Sequence, residues 1–388
     1  MEQYIYYSII FFSTIVAFLY VYIIVEKSIE KIARKQRARY EKQLIPEIDS
    51  IINKVIDTET ANDISIDVKR LKKILRNSIR KDIVEERISY YLENFTGEFR
   101  EVLIRFCEDY KIVEEELKDL NTRNIYKKAL CCKRLGELRS KKATKDLLEQ
   151  IPISIQDIKY NALLALAKIG DEQSFIDAFS KINGSILLSE RSLIEIIDSF
   201  EGNKNFVYSK MIDVEDEFIS SLFIKSAGNS LEYTLIEQIA RYLESSSKER
   251  RISAIKALGN MKDTRYIDKI SNLLDDEGWE IRALAAKTLG RYSDINVIPK
   301  LINKLSDRQW FVRYNSAVSI LKLDESLKYV HKVFEGQDRF AKDIIISAME
   351  DTDLMSRIFD NENHRYYDEK LALLVKNYID NGGETEDG

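Results

Sequence analysis

The sequence predicts an all-α protein: an α-solenoid of repeated helical hairpins, preceded by one transmembrane helix. Three observations predict it: a long uncharged stretch near the start, a scarcity of turn-forming residues, and a motif that recurs about every 31 residues. The chain has 388 residues, with 3 Pro and 13 Gly against 60 Lys+Arg and 65 Asp+Glu. Since β-sandwiches and barrels need turn residues about every 8 to 12 positions, this composition favours helices joined by short loops.

Residues 4–25 carry no charge and are long enough to cross a membrane. As a helix they span about 33 Å, and a hydrocarbon core is roughly 30 Å thick. A cleaved signal peptide is the competing interpretation, but it needs a basic start, a shorter apolar core and small residues at a cleavage site. The chain instead begins Met-Glu-Gln, and Val25 leads directly into Glu26 and Lys27. We therefore expect an uncleaved transmembrane anchor over residues 1–25.

The flanking charges predict the orientation of this anchor. Residues 26–42 hold seven cations and three anions, whereas Glu2 is the one charged side chain before the span. Because cationic flanks stay in the cytoplasm, we expect a single-pass protein of the cell membrane with its N-terminus outside and the bulk of the chain cytoplasmic. The basic run is also suited to anionic lipid head groups, but setting the topology is a sufficient account of it.

Two helical segments are expected between the anchor and the repeats. Residues 26–45 read as a basic juxtamembrane helix, and residues 46–120 as a helical N-terminal cap, with Pro46 as a break between them. Within the cap, apolar residues at helical spacing predict one long helix over 67–95 and another over 98–120. Because the first hairpin of a solenoid needs its outer face covered, the position of this segment is appropriate for a cap.

A repeat pattern begins at about residue 121. Residues 276–290 contain an aspartate, a tryptophan, an Ile-Arg pair, small residues and a Leu-Gly, and residues 307–321 repeat this order 31 positions later. The steps between equivalent positions are 31 residues, except for one of 30, and these positions are Gly136, Ala167, Asp198, Gly228, Gly259, Gly290 and Leu321. A period of this length, with two amphipathic helices per unit, predicts a solenoid over 121–365. The units between 171 and 248 are degenerate, and residues 366–388 read as a closing helix and a flexible acidic tail.

The repeats resemble the HEAT family, specifically its bacterial type related to phycobilin-lyase repeats. The family pattern runs Asp, a short loop, Val-Arg, two residues, Ala-Ala, two residues, Leu-Gly. It is matched by two segments, with Ser316 and Leu321 as departures: Asp276, Ile281, Arg282, Ala285, Ala286, Leu289 and Gly290, and then Asp307, Val312, Arg313, Ala317 and Ile320. The resemblance implies an all-α fold, a right-handed α-solenoid of about seven to eight HEAT-type hairpins behind the transmembrane helix.

The arrangement as a whole also resembles bacterial membrane-anchored HEAT proteins that accompany membrane glycosyltransferases. This implies a cytoplasmic scaffold that binds protein partners at the inner membrane face, a membrane enzyme such as a glycosyltransferase among them. The sequence-based expectation is that the chain is not an enzyme. The alternative is a HEAT-fold enzyme, either a chromophore lyase or a DNA glycosylase-like protein, since the lyase relatives share the repeat.

Two repeated pairs of charged residues have a structural and a functional interpretation. Arg282 and Arg313 each lie six residues after an aspartate, Asp276 and Asp307 respectively. The structural interpretation is a ladder in which each arginine ties the inter-helix loop of its own or the adjacent unit, and the functional one is the capture of an anion. We expect the ladder, which is also how the family pattern uses these residues.

The aromatic residues at the start of the last repeats are the candidate partner surface. Trp310, Phe311 and Tyr314 follow one another closely, and Trp279 lies 31 residues before Trp310. Packing at the corner between two helices is one interpretation. The other is a partner surface, because binding interfaces are enriched in Trp and Tyr.

No catalytic, cofactor or metal site is expected from the sequence. Cys131 and Cys132 occupy the positions of Ala285 and Ala286, which indicates small core residues, and no metalloprotease, phosphate-loop or nucleophile-elbow motif occurs. The net charge is −5, and residues 43–388 alone carry −8. A nucleic-acid binder needs a basic field, so we expect protein partners, membrane-associated, and no nucleic acid.

Overall fold

The structure, a computed structural model, describes residues 2–57, 74–182, 188–352, 354–359 and 368–380. Within these ranges the chain forms 21 α-helices, several short 3-10 segments and no β-strand. The predicted all-α fold of stacked helical hairpins is confirmed. Its right-handed sense, the number of hairpins and the domain boundaries stay predictions.

The first helix, α1 (Glu2–Asp57), is 56 residues long and continues without interruption beyond the predicted anchor. It is long and apolar enough to cross a membrane, and the side chains of residues 4–25 are exposed. The predicted break at Pro46 is wrong, because the helix runs through this residue. Four apolar side chains of its last turns are buried, which holds the helix together around the proline: Leu44, Ile48, Ile52 and Val55.

The chain divides into two compact units. Unit 1 comprises Met1–Ser174 and Lys181–Leu187, and unit 2 comprises Phe175–Ser180 and Leu188–Gly388. After α1, the helices of unit 1 are α2 (Ser78–Asn94), α3 (Glu98–Asp109), α4 (Ile112–Leu120), α5 (Ile125–Glu137), α6 (Thr144–Leu148) and α7 (Gln156–Ile169). The helix α8 (Glu172–Ser180) enters unit 2 at Phe175.

The helices of unit 2 follow in alternating pairs. They are α9 (Glu190–Asp198), α10 (Lys204–Met211), α11 (Glu217–Asn229), α12 (Ile236–Ala240), α13 (Lys248–Met261), α14 (Ile267–Asn272), α15 (Trp279–Leu289), α16 (Ile298–Ile302), α17 (Trp310–Leu323), α18 (Lys328–Glu335), α19 (Arg339–Asp351), α20 (Leu354–Phe359) and α21 (Glu369–Asp380). The second helices of successive hairpins pack on one another, from α9 through α11, α13, α15 and α17 to α19.

The predicted cap differs from the structure in two places. The expected long helix over 67–95 lies partly outside the described residues, and its described part is interrupted where the Asn77 side chain accepts a hydrogen bond from the Arg80 backbone and starts α2. The expected helix over 98–120 is two helices, because Lys111 adopts a left-handed conformation at φ 61°. Local capping and turn chemistry therefore override the apolar periodicity here.

The small residues of the repeat lie where neighbouring second helices approach closely. Ala285, Ala286 and Ala317 are 0% exposed, and a Cβ added at Gly136 would lie 2.5 Å from the Ala165 Cα. In the degenerate repeats bulky rings fill the core instead, as in the edge-to-face pair of Phe179 and Phe223 at 5.0 Å. The exchange of small for large core residues explains why the sequence pattern fades between 171 and 248.

Candidate functional site

An aromatic row lies at the start of two successive second helices of unit 2. We define the aromatic row as Trp279, which begins α15, with Trp310, Phe311 and Tyr314 of α17. The ring of Phe311 stacks on Trp279 with centroids 5.6 Å apart, and it meets Trp310 edge-to-face at 5.2 Å. Trp310 in turn stacks on Tyr314 at 4.9 Å. The four rings thus form a continuous surface across two repeats.

Three of the four rings are open to solvent. Trp279 is 36% exposed, Trp310 45% and Phe311 54%. Tyr314 is half-buried, and its hydroxyl donates a 2.8 Å hydrogen bond to Asp351 Oδ2, which raises the pKa of the phenol. The stacked rings therefore expose contiguous apolar surface on two successive repeats.

Phe340 is a further exposed aromatic residue, in the next repeat, that was not singled out as a candidate site from the sequence. It is 65% exposed at the start of α19, and the guanidinium of Arg313 lies 5.8 Å from its ring centroid.

The arginine ladder links consecutive repeats. Arg282 is 6% exposed, and its Nη1 donates to the backbone carbonyls of Asp276 at 2.9 Å and Glu277 at 3.0 Å. Its Nε and Nη2 also donate to both carboxylate oxygens of Asp307, at 2.8 and 3.0 Å. The same side chain therefore secures the loop of its own repeat and pairs with the aspartate of the next.

The neighbouring repeats show how far the ladder extends. Arg251 pairs with the Asp276 carboxylate at 3.3 Å, so the carboxylate lies next to the arginine of the preceding repeat and not its own. Arg313 donates to the Asp307 carbonyl at 2.7 Å. Burial opposes the charge of Asp307, but hydrogen bonds from Arg282 and the Gln309 backbone outweigh it and hold the pKa of Asp307 below its usual value. These contacts support a structural role for the four predicted ladder residues.

The cysteines lie in the core of unit 1. Cys107, Cys131 and Cys132 are free and buried, and burial raises the pKa of the Cys131 and Cys132 thiols to about 12. Protonated, enclosed thiols are poor nucleophiles and poor metal ligands. No group of three or more potential metal ligands occurs among the residues that the structure describes.

A buried ion cluster in unit 1 was missed by the sequence analysis. Lys81 lies against Glu116 and is 3.7 Å from Glu85, while Arg134 is 3.0 Å from Glu85 and 3.7 Å from Glu116. The side chain of Glu85 is 3% exposed and that of Glu116 is fully buried. These residues come from α2, α4 and α5. From the sequence alone, charged residues on a helix are expected to face solvent. Only the packing of the three helices encloses them.

The raised pKa of Glu85 makes the free energy of unfolding depend on pH. Burial, followed by the nearby charge of Glu116, raises the pKa of Glu85 to about 9, against the opposing effect of Lys81 and Arg134. The folded chain thus retains a proton that the unfolded chain releases above its ordinary carboxyl pKa, so the free energy of unfolding falls as the pH rises towards 9.

Replacing Glu85 by glutamine is expected to remove this pH dependence. Glu85→Gln should raise the free energy of unfolding at pH 8 by about 1 kcal/mol or more and change it little at pH 5, as measured by urea denaturation of the full chain in detergent. Glu86→Gln, one residue along the same helix, is the control: its 61% exposed side chain pairs with Arg37, and loss of this solvated ion pair should lower both values equally and by less than about 1 kcal/mol. A Glu85→Gln chain less stable than wild type at pH 8 would contradict the protonated state.

One segment of the chain matches a known protein family. Residues 232–328 match the HEAT repeat family. This segment contains α12 to α17, and so the aromatic row and the ladder lie within recognised HEAT repeats. The predicted resemblance is confirmed there. No curated protein matches the sequence of this chain.

Solved structures resemble the chain at low sequence identity. An engineered protein has 15% identity and a TM-score of 0.32, with 82% of this chain and 92% of that chain covered. Human deoxyhypusine hydroxylase in complex with glycerol has 12% identity and a TM-score of 0.26, with coverages of 70% and 97%. The complex of CpcE and CpcF of phycocyanin lyase from Nostoc sp. PCC7120 has 13% identity and a TM-score of 0.27, with coverages of 68% and 94%.

These structures correct one prediction. The repeat fold and the lack of catalytic motifs in the sequence predicted that the chain is not an enzyme. Two of the structures named above belong to enzymes, a hydroxylase and a lyase. That inference is therefore wrong, because a HEAT-like fold does not exclude catalysis.

Proposed function

We propose that this chain is a membrane-anchored scaffold that binds a protein partner through the aromatic row. The observation that carries the proposal is the exposure of Trp279, Trp310 and Phe311 as stacked rings. Aromatic side chains bring a large apolar area at a small cost in conformational entropy, and they dominate the energetics of protein interfaces. Rings exposed on this scale without a partner are an association liability.

The anchor supports a partner at the membrane. Residues 4–25 form the apolar part of α1, and the helix continues into the buried segment that starts at Leu44. Since Leu44 lies 19 positions after Val25 along the helix, the packed part of unit 1 would stand about 28 Å beyond the end of the span. Tethering raises the effective concentration for partners in the same membrane. We propose the cytoplasmic side for the bulk of the chain and a membrane enzyme, such as a glycosyltransferase, as the class of partner.

The test is affinity recovery from membranes. Membranes that contain the tagged chain are first washed with alkaline carbonate, which should leave an integral protein in the pellet. They are then solubilised in mild detergent, and co-purified proteins are identified by mass spectrometry. Trp310→Ala combined with Phe311→Ala should reduce recovery of the wild-type partner at least about tenfold, because removing two aromatic anchors typically costs more than 1.4 kcal/mol.

The matched control is Tyr233→Ala combined with Ile295→Ala. These side chains are 57% and 56% exposed in unit 2 but precede the first helices of their hairpins, away from the starts of α15 and α17. Recovery should be unchanged with this control. Equal recovery with both double variants would refute the aromatic row as the binding surface, and release of the chain by carbonate would refute the anchor.

A further inference from the structure

The second helices of unit 2 carry a lysine at the same position of three successive repeats, exposed in the last two of them. Lys225, Lys256 and Lys287 lie 31 residues apart, on α11, α13 and α15. One helical turn further on, a second column contains Asn229, Asn260, Arg291 and Lys322, again with steps of 31 residues. We define the cationic columns as these seven residues. Since packed helices lie about 8 to 10 Å apart, the columns place cations at regular intervals across four helices.

The columns are ordered by contacts between repeats. Asn260 Nδ2 donates to Asn229 Oδ1 at 3.4 Å, and Arg291 Nη1 donates to Asn260 Oδ1 at 2.8 Å. Lys225 pairs with Glu190 at 2.7 Å. By contrast, Lys256, Lys287 and Lys322 are exposed, and within the described part of the chain no carboxylate oxygen lies within salt-bridge distance of them. Three cations of the columns are thus free to meet an external anion.

The columns share a surface with the aromatic row. On α17, Phe311, Asn315, Val318 and Lys322 lie at helical spacing along one face, and no acidic residue lies between them. About 16 Å of helix separates Phe311 from Lys322. The face therefore presents an apolar end, at the start of the helices, and a cationic end, at their close.

We infer that this face binds an acidic polypeptide segment of the partner, with a hydrophobic residue on the aromatic row and carboxylates on Lys256, Lys287, Arg291 and Lys322. This inference rests on the proposed function and specifies the chemistry of the partner. The three lysines lack internal ion-pair partners and Arg291 donates to a neutral amide, so the four cations confer complementarity to carboxylates and steer association. The segment needs about five extended residues, or about eleven in a helix, to connect the two ends.

The charge of the whole chain favours a polypeptide over a nucleic acid. The net charge is −5 and the sequence pI about 5.5, whereas a nucleic-acid-binding domain is generally strongly basic.

The test uses the full chain in detergent and a fluorescein-labelled glutamate homopeptide of about fifteen residues, roughly 50 Å long when extended. Fluorescence anisotropy should show binding by wild type that weakens as salt rises from about 50 to about 200 mM. Lys256→Glu combined with Lys287→Glu should weaken it about tenfold or more. Lys210→Glu combined with Lys300→Glu, the same charge change at exposed lysines of the first helices α10 and α16, is the matched control and should lower the affinity less than about threefold.

Three results would overturn the inference: no salt-dependent binding of the glutamate peptide by wild type, equal loss in both lysine double variants, or tighter binding of an oligothymidylate of equal charge. The last would indicate a nucleic-acid surface. The Trp310→Ala, Phe311→Ala chain separates the two proposals. If it still binds the glutamate peptide and still recovers the partner, the aromatic row alone is refuted and the preference for acidic segments stands. The two proposals can therefore fail separately.

Discussion

Replacing Arg282 by alanine is expected to lower the free energy of unfolding of unit 2 by about 3 to 5 kcal/mol. The side chain is buried, makes a two-point contact with Asp307 and donates to two backbone carbonyls. Its removal leaves the 9% exposed carboxylate of Asp307 without its cation, and breaking one partner of a buried ion pair carries a cost of this size. Thermal and urea denaturation of the full chain in detergent measure the loss.

Arg313→Ala is the matched control for Arg282→Ala. It removes the equivalent arginine of the next repeat, whose contacts are the 2.7 Å hydrogen bond to the Asp307 carbonyl and the ring of Phe340, and the expected loss is about 1 kcal/mol. The double variant Arg282→Ala, Asp307→Ala should recover part of the stability, because it removes the stranded charge. An Arg282→Ala chain that melts like wild type but fails to recover its partner would assign Arg282 to binding.

Replacing Gly228 by alanine is expected to lower the free energy of unfolding by about 1 to 3 kcal/mol, even though alanine is a better helix former by about 1 kcal/mol. An added Cβ would lie 2.5 Å from the Ala257 Cβ and would also overlap the Ala257 Cα. Because the obstruction includes backbone, α11 and α13 must move apart. Circular dichroism during urea denaturation measures the loss.

Gly259→Ala provides the graded comparison, one repeat later. Its added Cβ would lie 2.6 Å from the Thr288 Cγ2, the end of a side chain that can change rotamer. We expect the loss to be smaller than for Gly228→Ala by about 1 kcal/mol. If Gly228→Ala stabilised the chain, as helix propensity alone predicts, the close approach of the two helices would be refuted.

The fold was largely predictable from the sequence, because a helical repeat is specified by the spacing of apolar, small and charged residues along the chain. The repeats at Trp279 and Trp310 begin helices in the structure as expected, and the small residues that follow are buried. The errors fall where local chemistry competes with periodicity. Pro46 is tolerated because apolar side chains around it are buried, and Lys111 divides one apolar run into two helices through a left-handed turn.

The candidate sites were less predictable, for a different reason. Arg282 was expected to support the loop at Asp276, and it does so through carbonyl oxygens, but its carboxylate partner is Asp307, 25 residues further on. Nothing in the spacing of the sequence distinguishes the aspartate of the same repeat from that of the next. The packing of one hairpin on the next decides which aspartate carboxylate reaches Arg282.

By itself the sequence determined the helical class, the uncharged segment long enough to span a membrane and the 31-residue repeat, because each depends on residue types at fixed spacing along one helix or hairpin. Only the tertiary structure decided which side chains are enclosed. Glu85 and Glu116 became a buried pair, whereas Trp310 and Phe311 stayed exposed, although hydrophobicity alone predicts the reverse. The physical reason is that burial depends on which helix packs against each face, and that packing joins residues from different hairpins.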